Sequence, residues 1–258
     1  MIHTTAVVED GAELGEGVSV GPFAYIQEGA AVGAGCTIGP HASILKYTTL
    51  GEECEVHAGA VLGDIPQDIS FTECESFVRI GKRCRIREGV TVQRGTKPGS
   101  STTIGDDCFL MAFSHFAHNM RVGNGVVVCN AVLFAGHVEI DDRVFVSGGS
   151  LVHQFVKIGR LAMLSGAAMV GKDVPPFCML QHAKLNTIVG LNTIGLRRAG
   201  YSVEERAQIK QAFDLLFRSG LNVTQAVERI RAELPAGPAH EFCAFVDRST
   251  RGICTMQG

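Results

Sequence analysis

Tryptophan is absent, proline occurs only 8 times in 258 residues, and aromatic side chains make up 7%. With 46% hydrophobic residues and so few large rings, the core must be built from small and β-branched side chains. Long apolar runs are also missing, so no segment qualifies as a bilayer span. The opening MIHTTAVVED has no basic stretch followed by an apolar one, which argues against a secretory leader. The chain is therefore expected to be cytoplasmic, without membrane insertion. Neither sign of charge dominates: 23 Lys and Arg stand against 26 Asp and Glu, a net −3. That excludes a nucleic-acid binder living on counterion release. The charged fraction is low and the hydrophobic fraction high, which excludes disorder. The 31 glycines form no G-X-Y run, which excludes collagen. Nine cysteines, an odd number without C-x-x-C spacing, read as reduced thiols rather than a disulfide framework.

What is present is a period. Every sixth residue from Ile2 is aliphatic: Ile2, Val8, Leu14, Val20, Ile26, Val32, Ile38, Ile44, Leu50, Val56 and Leu62. The phase is lost at Asp68 and Cys74, returns at Ile80, Ile86 and Val92, is lost at Pro98, and then runs from Ile104 to Val170. Four residues after each aliphatic comes a small or β-branched one, and Cys36, Cys54, Cys84 and Cys108 fall in these slots. They read as buried small hydrophobes. Gly often follows the aliphatic, as at Gly15, Gly33 and Gly51, and is expected there for unusual turn angles. No P-loop or dinucleotide fingerprint accompanies these glycines. The pattern predicts a hexapeptide parallel β-helix, three hexapeptides to each triangular coil.

Both interruptions are multiples of six, so the register survives them, and both should leave the prism as loops: roughly residues 63–79 and 93–103. Long loops on a rigid scaffold are where function tends to sit. After Val174 the period stops at Pro175-Pro176, and helical spacing follows. Ser202 and Glu205 form a capping box ahead of Val203 to Ser219, Asn222 caps a second helix ended by Pro235, and a third runs from about His240 to Ser249. The expected division is a β-helix domain over residues 1–186 and a C-terminal helical domain over 187–258. An open coil edge would pair with another chain, so the prism's C-terminal end needs a cover.

Four histidines gather in one stretch: His115, His118, His137 and His153. Positions 118, 136 and 154 share one phase on three successive coils, so Gly136 should stack on His118 and Gln154 on Gly136. His137 and His153 lie one residue off that line. A single histidine there would be a polar turn residue; four at coil spacing point to a site. Neutral imidazole can ligate zinc or act as a general base. The trimeric β-helix carbonic anhydrases space two of their zinc histidines more widely in one chain than His115 and His118, so the metal reading is the weaker.

Several runs resemble one family: MAFSHFAHNMRVGNGVVVCNAVLFAGHV (111–138), VHQF (152–155), DVPP (173–176), GLNTIGLRRAG (190–200), RGT (94–96), QD (67–68) and RSTRG (248–252). Together they are similar to the acyl-carrier-protein:UDP-N-acetylglucosamine O-acyltransferases that open lipid A biosynthesis, over essentially the whole chain. The resemblance implies a left-handed prism and a homotrimer. It implies transfer of an (R)-3-hydroxyacyl group to the 3-hydroxyl of UDP-N-acetylglucosamine, from a donor carried on the phosphopantetheine of acyl carrier protein, with no other cofactor and no metal. By the same resemblance, His118 is the base and the Gly136 N–H the oxyanion donor. His115, His137, His153, Gln154 and Asp68 line the substrate site, Asn192 and Arg198 contact the nucleotide end, and Gly166 sets acyl length. Two positions depart from the family pattern: Asn119 stands where Asp often follows the base, and Ser70 where Lys is usual. An amine acceptor, giving an amide, is the nearest rival reading.

Overall fold

The computed structural model describes residues 1–256. Short strands alternate with two-residue turns, and each strand pairs in parallel with one eighteen residues on: Val7 with Tyr25, Glu13 with Ala31, Ser19 with Thr37. This offset sorts the strands onto three faces. The first face has nine strands, from Val7–Val8 to Met169–Val170; the second has eight, from Glu13–Leu14 to Lys157–Ile158; the third has eleven, beginning at Ser19–Val20. The faces close into a left-handed parallel β-helix.

The six-residue period is the interior. Ile26, Ile44, Leu62, Ile86, Leu110, Val128 and Leu164 are all fully buried. Each contributes roughly 1.5–3 kcal/mol from removal of apolar surface. Cys36, Cys54, Cys84 and Cys108 form a second buried column. The Cys54 thiol donates to Gly81 O at 3.1 Å, and its sulfur accepts from Cys84 N–H at 3.3 Å. All nine cysteines are free thiols.

The glycines that follow the aliphatics serve a different purpose from the one expected. A Cβ on Gly15 would lie 2.4 Å from Ala34 N, and one on Gly33 would lie 2.6 Å from Gly51 C. These glycines let successive coils approach. The left-handed backbone falls two residues later, and the residues there are often not glycine: Phe23, His41, Asn119, His137 and Phe155 all have φ near +60°. Such a residue costs about 1–2 kcal/mol, which coil stacking offsets.

The two loops leave the prism over shorter spans than expected, between Asp64 and Phe77 and between Gln93 and Ser101. Their flanks pair instead: Phe77–Ile80 lies along Ser101–Ile104. Register is kept across both, with Val61 opposite Thr91 and Thr91 opposite His115.

Beyond Pro175-Pro176 the third face continues. Cys178–Leu180 stacks on Met163–Leu164, Thr187–Leu191 folds back antiparallel to it, and Thr255–Met256 returns to pair with that strand. The reversal covers the open end of the sheet. The helices are α1 (Thr193–Arg198), α2 (Val203–Phe217), α3 (Val223–Glu233) and α4 (Glu241–Arg248). The expected capping box forms at Ser202 with Glu205, and Asn222 caps α3 as expected, completing a second box with Gln225. The six-residue α1 is too short to show a helical period and has no counterpart in the sequence reading. Buried Asp173 ties the helices to the prism: one carboxylate oxygen accepts from Lys157 N–H at 2.8 Å, the other from the Ser249 hydroxyl at 2.6 Å.

Candidate active site

The chain turns from the first face to the second along one edge of the prism, and His118, Gly136 and Gln154 occupy the same turn position on three consecutive coils. Asn119, His137 and Phe155 follow them in the left-handed position. The ladder is direct: His137 N–H donates to His118 O at 3.0 Å and Phe155 N–H to Gly136 O at 3.1 Å. At the first turn position the backbone N–H is outside this ladder. On some coils a side chain of a neighbouring coil accepts it, as Glu9 does for Glu28 and Asn124 for Asp106. Along this edge, at His118, Gly136 and Gln154, no such acceptor among the described residues stands against it, and the Gly136 N–H has no partner.

The His118 ring lies against Gly136. A Cβ there would come within 2.4 Å of Cε1 and 2.6 Å of Nε2, so only glycine leaves room for the imidazole. The other ring nitrogen, Nδ1, is 3.0 Å from Asn119 Oδ1. An amide oxygen accepts, so Nδ1 carries the proton and Nε2 keeps its lone pair.

The remaining histidines surround this one. His137 meets His118 edge-on, ring centroids 5.3 Å apart, and stacks on Phe155 at 4.6 Å. Burial pushes the His137 pKa down, and the nearby His118 and Lys97 charges push the same way. His115 stands on the first face, Nδ1 2.7 Å from the Thr91 hydroxyl; burial, then His118, lowers its pKa as well. His153 is exposed, with Arg251 Nη2 3.4 Å from its Nδ1. Asp68 arrives from the first loop. The Ser70 hydroxyl and N–H donate to its carboxylate at 2.7 and 2.8 Å and hold its pKa low, with smaller contributions from His118 and His137.

A groove of about 640 Å³ opens beside His118 and Gly136 along the first face. Its wall is a column of outward-pointing aliphatics, Leu133, Leu151, Met169 and Leu185, all exposed. These were missing from the sequence reading, although their signal was present: outward strand positions, polar on most coils, turn aliphatic on consecutive ones here. Gln67 and Gln93 close the near end, Gln67 N–H donating to Gln93 Oε1 at 3.1 Å.

Three of the expected residues lie apart. Gly166 sits on the edge between the third and first faces, across the first face from Gly136. A Cβ there would meet only Gly148 O and His182 Nδ1, both at 3.7 Å. Asn192 caps α1, its Oδ1 accepting from Gly195 N–H at 2.9 Å, while its Nδ2 donates to Leu161 O at 3.0 Å. That places it on the edge between the second and third faces. Arg198 ends α1, exposed. A single chain does not bring Asn192 and Arg198 to His118. Among the described residues, no group of three or more His, Cys, Asp or Glu side chains is arranged to hold a metal ion.

Comparison with known proteins gives concordant matches. Residues 173–254 match the family model of UDP N-acetylglucosamine O-acyltransferase, domain 2, and residues 11–46 that of the bacterial transferase hexapeptide (six repeats). An acyl-[acyl-carrier-protein]–UDP-N-acetylglucosamine O-acyltransferase of Anaeromyxobacter dehalogenans is 46% identical over 254 residues, 98% of each chain. One from Campylobacter concisus is 36% identical over 100% of this chain and 98% of its own. The crystal structure of a UDP-N-acetylglucosamine acyltransferase from Bacteroides fragilis superposes with a TM-score of 0.95 at 37% identity, covering 98% of this chain and 99% of that one.

Proposed function

The chain belongs to the acyl-[acyl-carrier-protein]–UDP-N-acetylglucosamine O-acyltransferase family and is an acyltransferase; on that premise we propose that it moves an (R)-3-hydroxyacyl group from acyl carrier protein to the 3-hydroxyl of UDP-N-acetylglucosamine, in the cytoplasm, as the first step of lipid A biosynthesis. The observation that carries the reading is the His118 ring set against Gly136, with Nδ1 held by Asn119 and Nε2 free.

In this reading, Nε2 takes the proton of the sugar hydroxyl as its oxygen attacks the thioester carbon. A general base of this kind contributes about 10²–10⁴-fold. The tetrahedral oxyanion meets the unpartnered Gly136 N–H, a donor of a class whose loss costs about 3 kcal/mol. The intermediate then collapses, the thiol of phosphopantetheine leaves, and the imidazolium returns the proton to it. Burial lowers the pKa of His137 and of His115 and so favours their neutral forms beside His118. The aliphatic groove beside Gly136 suits the acyl chain, and Asp68, His153 and Gln154 the polar end of the substrates. Asn192 and Arg198 complete the site when a neighbouring copy supplies them, which favours a homotrimer with each site between two chains. The test is a radiolabelled acyl-transfer assay with a ladder of 3-hydroxyacyl carrier proteins against UDP-N-acetylglucosamine and its 3-amino counterpart. Ester product from the hydroxy sugar is expected; turnover of the amino sugar alone would overturn the acceptor assignment.

Two further outcomes are expected. Chelator-treated protein, verified metal-free, keeps full activity; activity that vanished and returned with zinc would move the chemistry to a metal. Gly166→Met shifts preference toward shorter donors, because a side chain there enters open space at the far edge of the first face. Rates across the donor ladder, with melting temperature in parallel, check this. An unchanged ratio of long to short donors would remove Gly166 from the acyl path.

A further inference from the structure

We propose that Thr96 is a positioning residue that fixes the orientation of the Asn119 amide and, through it, the tautomer of His118. This rests on the reading of His118 as the base. Asn119 sits in a left-handed turn, φ 60°, and three groups converge on its Oδ1: Thr96 N–H at 3.1 Å, the Thr96 hydroxyl at 2.9 Å and His118 Nδ1 at 3.0 Å.

The chemistry of an amide makes this arrangement directional. Its oxygen only accepts and its nitrogen only donates. The Thr96 backbone N–H can only donate, so the atom facing it must be Oδ1. With Oδ1 in that place, His118 is protonated on Nδ1 and its Nε2 is the acceptor. A flipped amide would set its NH₂ against the Thr96 N–H and donate to Nδ1. The ring proton would move to Nε2, and the nitrogen beside Gly136 could no longer accept one. A carboxylate at position 119 needs no such guard, since both its oxygens accept. Replacing it by an amide makes His118 dependent on whatever chooses the oxygen; the Thr96 N–H makes that choice, and the Thr96 hydroxyl, donating to the same oxygen, anchors it.

Thr96 is itself held. It lies in the second loop, whose base is clamped to the first: the Ser76 hydroxyl donates to Gly95 O at 2.6 Å, and the buried Arg94 guanidinium bonds Glu73 Oε1 at 2.6 Å and Cys74 O at 2.5 Å. Gly95 could carry no side chain, because a Cβ would lie 2.2 Å from Ser100 Oγ. Thr96 therefore reaches Asn119 from a fixed backbone.

The test is a double-mutant cycle. Thr96→Val keeps the N–H and removes the hydroxyl, and is expected to lower kcat about five- to tenfold, the worth of one hydrogen bond, with KM for the sugar nucleotide nearly unchanged. Thr96→Ser restores the donor and should stay within about twofold of the parent. In the Asn119→Asp background, where no flip exists, Thr96→Val should cost less than about twofold. In ¹⁵N-histidine-labelled protein, with His118 assigned by its loss in His118→Gln, the parent should show a protonated Nδ1, and Thr96→Pro, which removes the N–H that excludes the flipped amide, a shift toward the other tautomer, with melting temperature measured in parallel. Equal losses in both backgrounds, parent-like kcat in Thr96→Val, or a parent protonated on Nε2 would each overturn the proposal. Its failure is separable from failure of the base assignment. Full activity in His118→Ala rejects His118 as base, while the tautomer spectrum still reports on Thr96. An inactive His118→Ala with an unchanged Thr96→Val rejects only the role of Thr96.

Discussion

Gly136→Ala is expected to lower kcat by about two to three orders of magnitude while the fold survives. The added Cβ would fall 2.4–2.9 Å from three atoms of the His118 ring. A ring is the movable partner in such a clash, so the imidazole swings outward and the coil backbone stays. Gly136 does not have the left-handed φ that strains alanine, so little conformational cost is added. The base then leaves both its Asn119 partner and the free N–H beside it. Gly148 is a control: it occupies the equivalent turn position on the edge between the third and first faces, where a Cβ would meet Asn130 O at 3.2 Å and Cys129 Cβ at 4.0 Å and no ring. Gly148→Ala should remain near parental activity. Initial rates and melting curves for the two variants check the contrast, and a Gly136→Ala enzyme with parental kcat would show that His118 does not need its place against this backbone.

His118→Ala should remove turnover more completely, by about 10²–10⁴-fold or beyond, with circular dichroism, melting temperature and elution volume unchanged. The ring is half-buried at a prism edge and its hydrogen bond goes to the adjacent Asn119, so truncation leaves no interior cavity. Near-parental rate at neutral pH in this variant would remove the base from the mechanism.

The prism could be read almost whole in the sequence, because each sixth residue reports on the same interior column and errors at one coil are corrected by the next. The same arithmetic sets Gly136 against His118, where the ring lies. Contacts made across the loops were beyond it: the bond from Thr96 to Asn119 joins a segment outside the period to one inside it, and no spacing rule relates them. Position on an edge was similarly hidden for Asn192, whose amide is occupied by a helix cap and by Leu161 O. The glycines misled in a different way. Their frequency suggested backbone freedom, whereas the crowding between coils at Gly15 and Gly33 shows that volume, not φ, selects them.

The fixed offset of eighteen residues between stacked strands sets which changes in chain length the molecule can absorb. A whole coil added upstream of the site would lengthen the prism by one strand spacing, about 4.8 Å, and leave every downstream side chain on its own face. Six residues drawn into the coil between the second loop and His118 would instead rotate everything beyond them by one face, carrying His118 and its aliphatic wall together away from Asp68, Gln93 and Thr96. The two natural excursions avoid this by leaving the prism altogether before rejoining it in phase, as the pairing of Val61 with Thr91 and of Thr91 with His115 records. Insertions and deletions in such a chain are thus quantised, tolerated as full turns of the screw or as loops that stand clear of it.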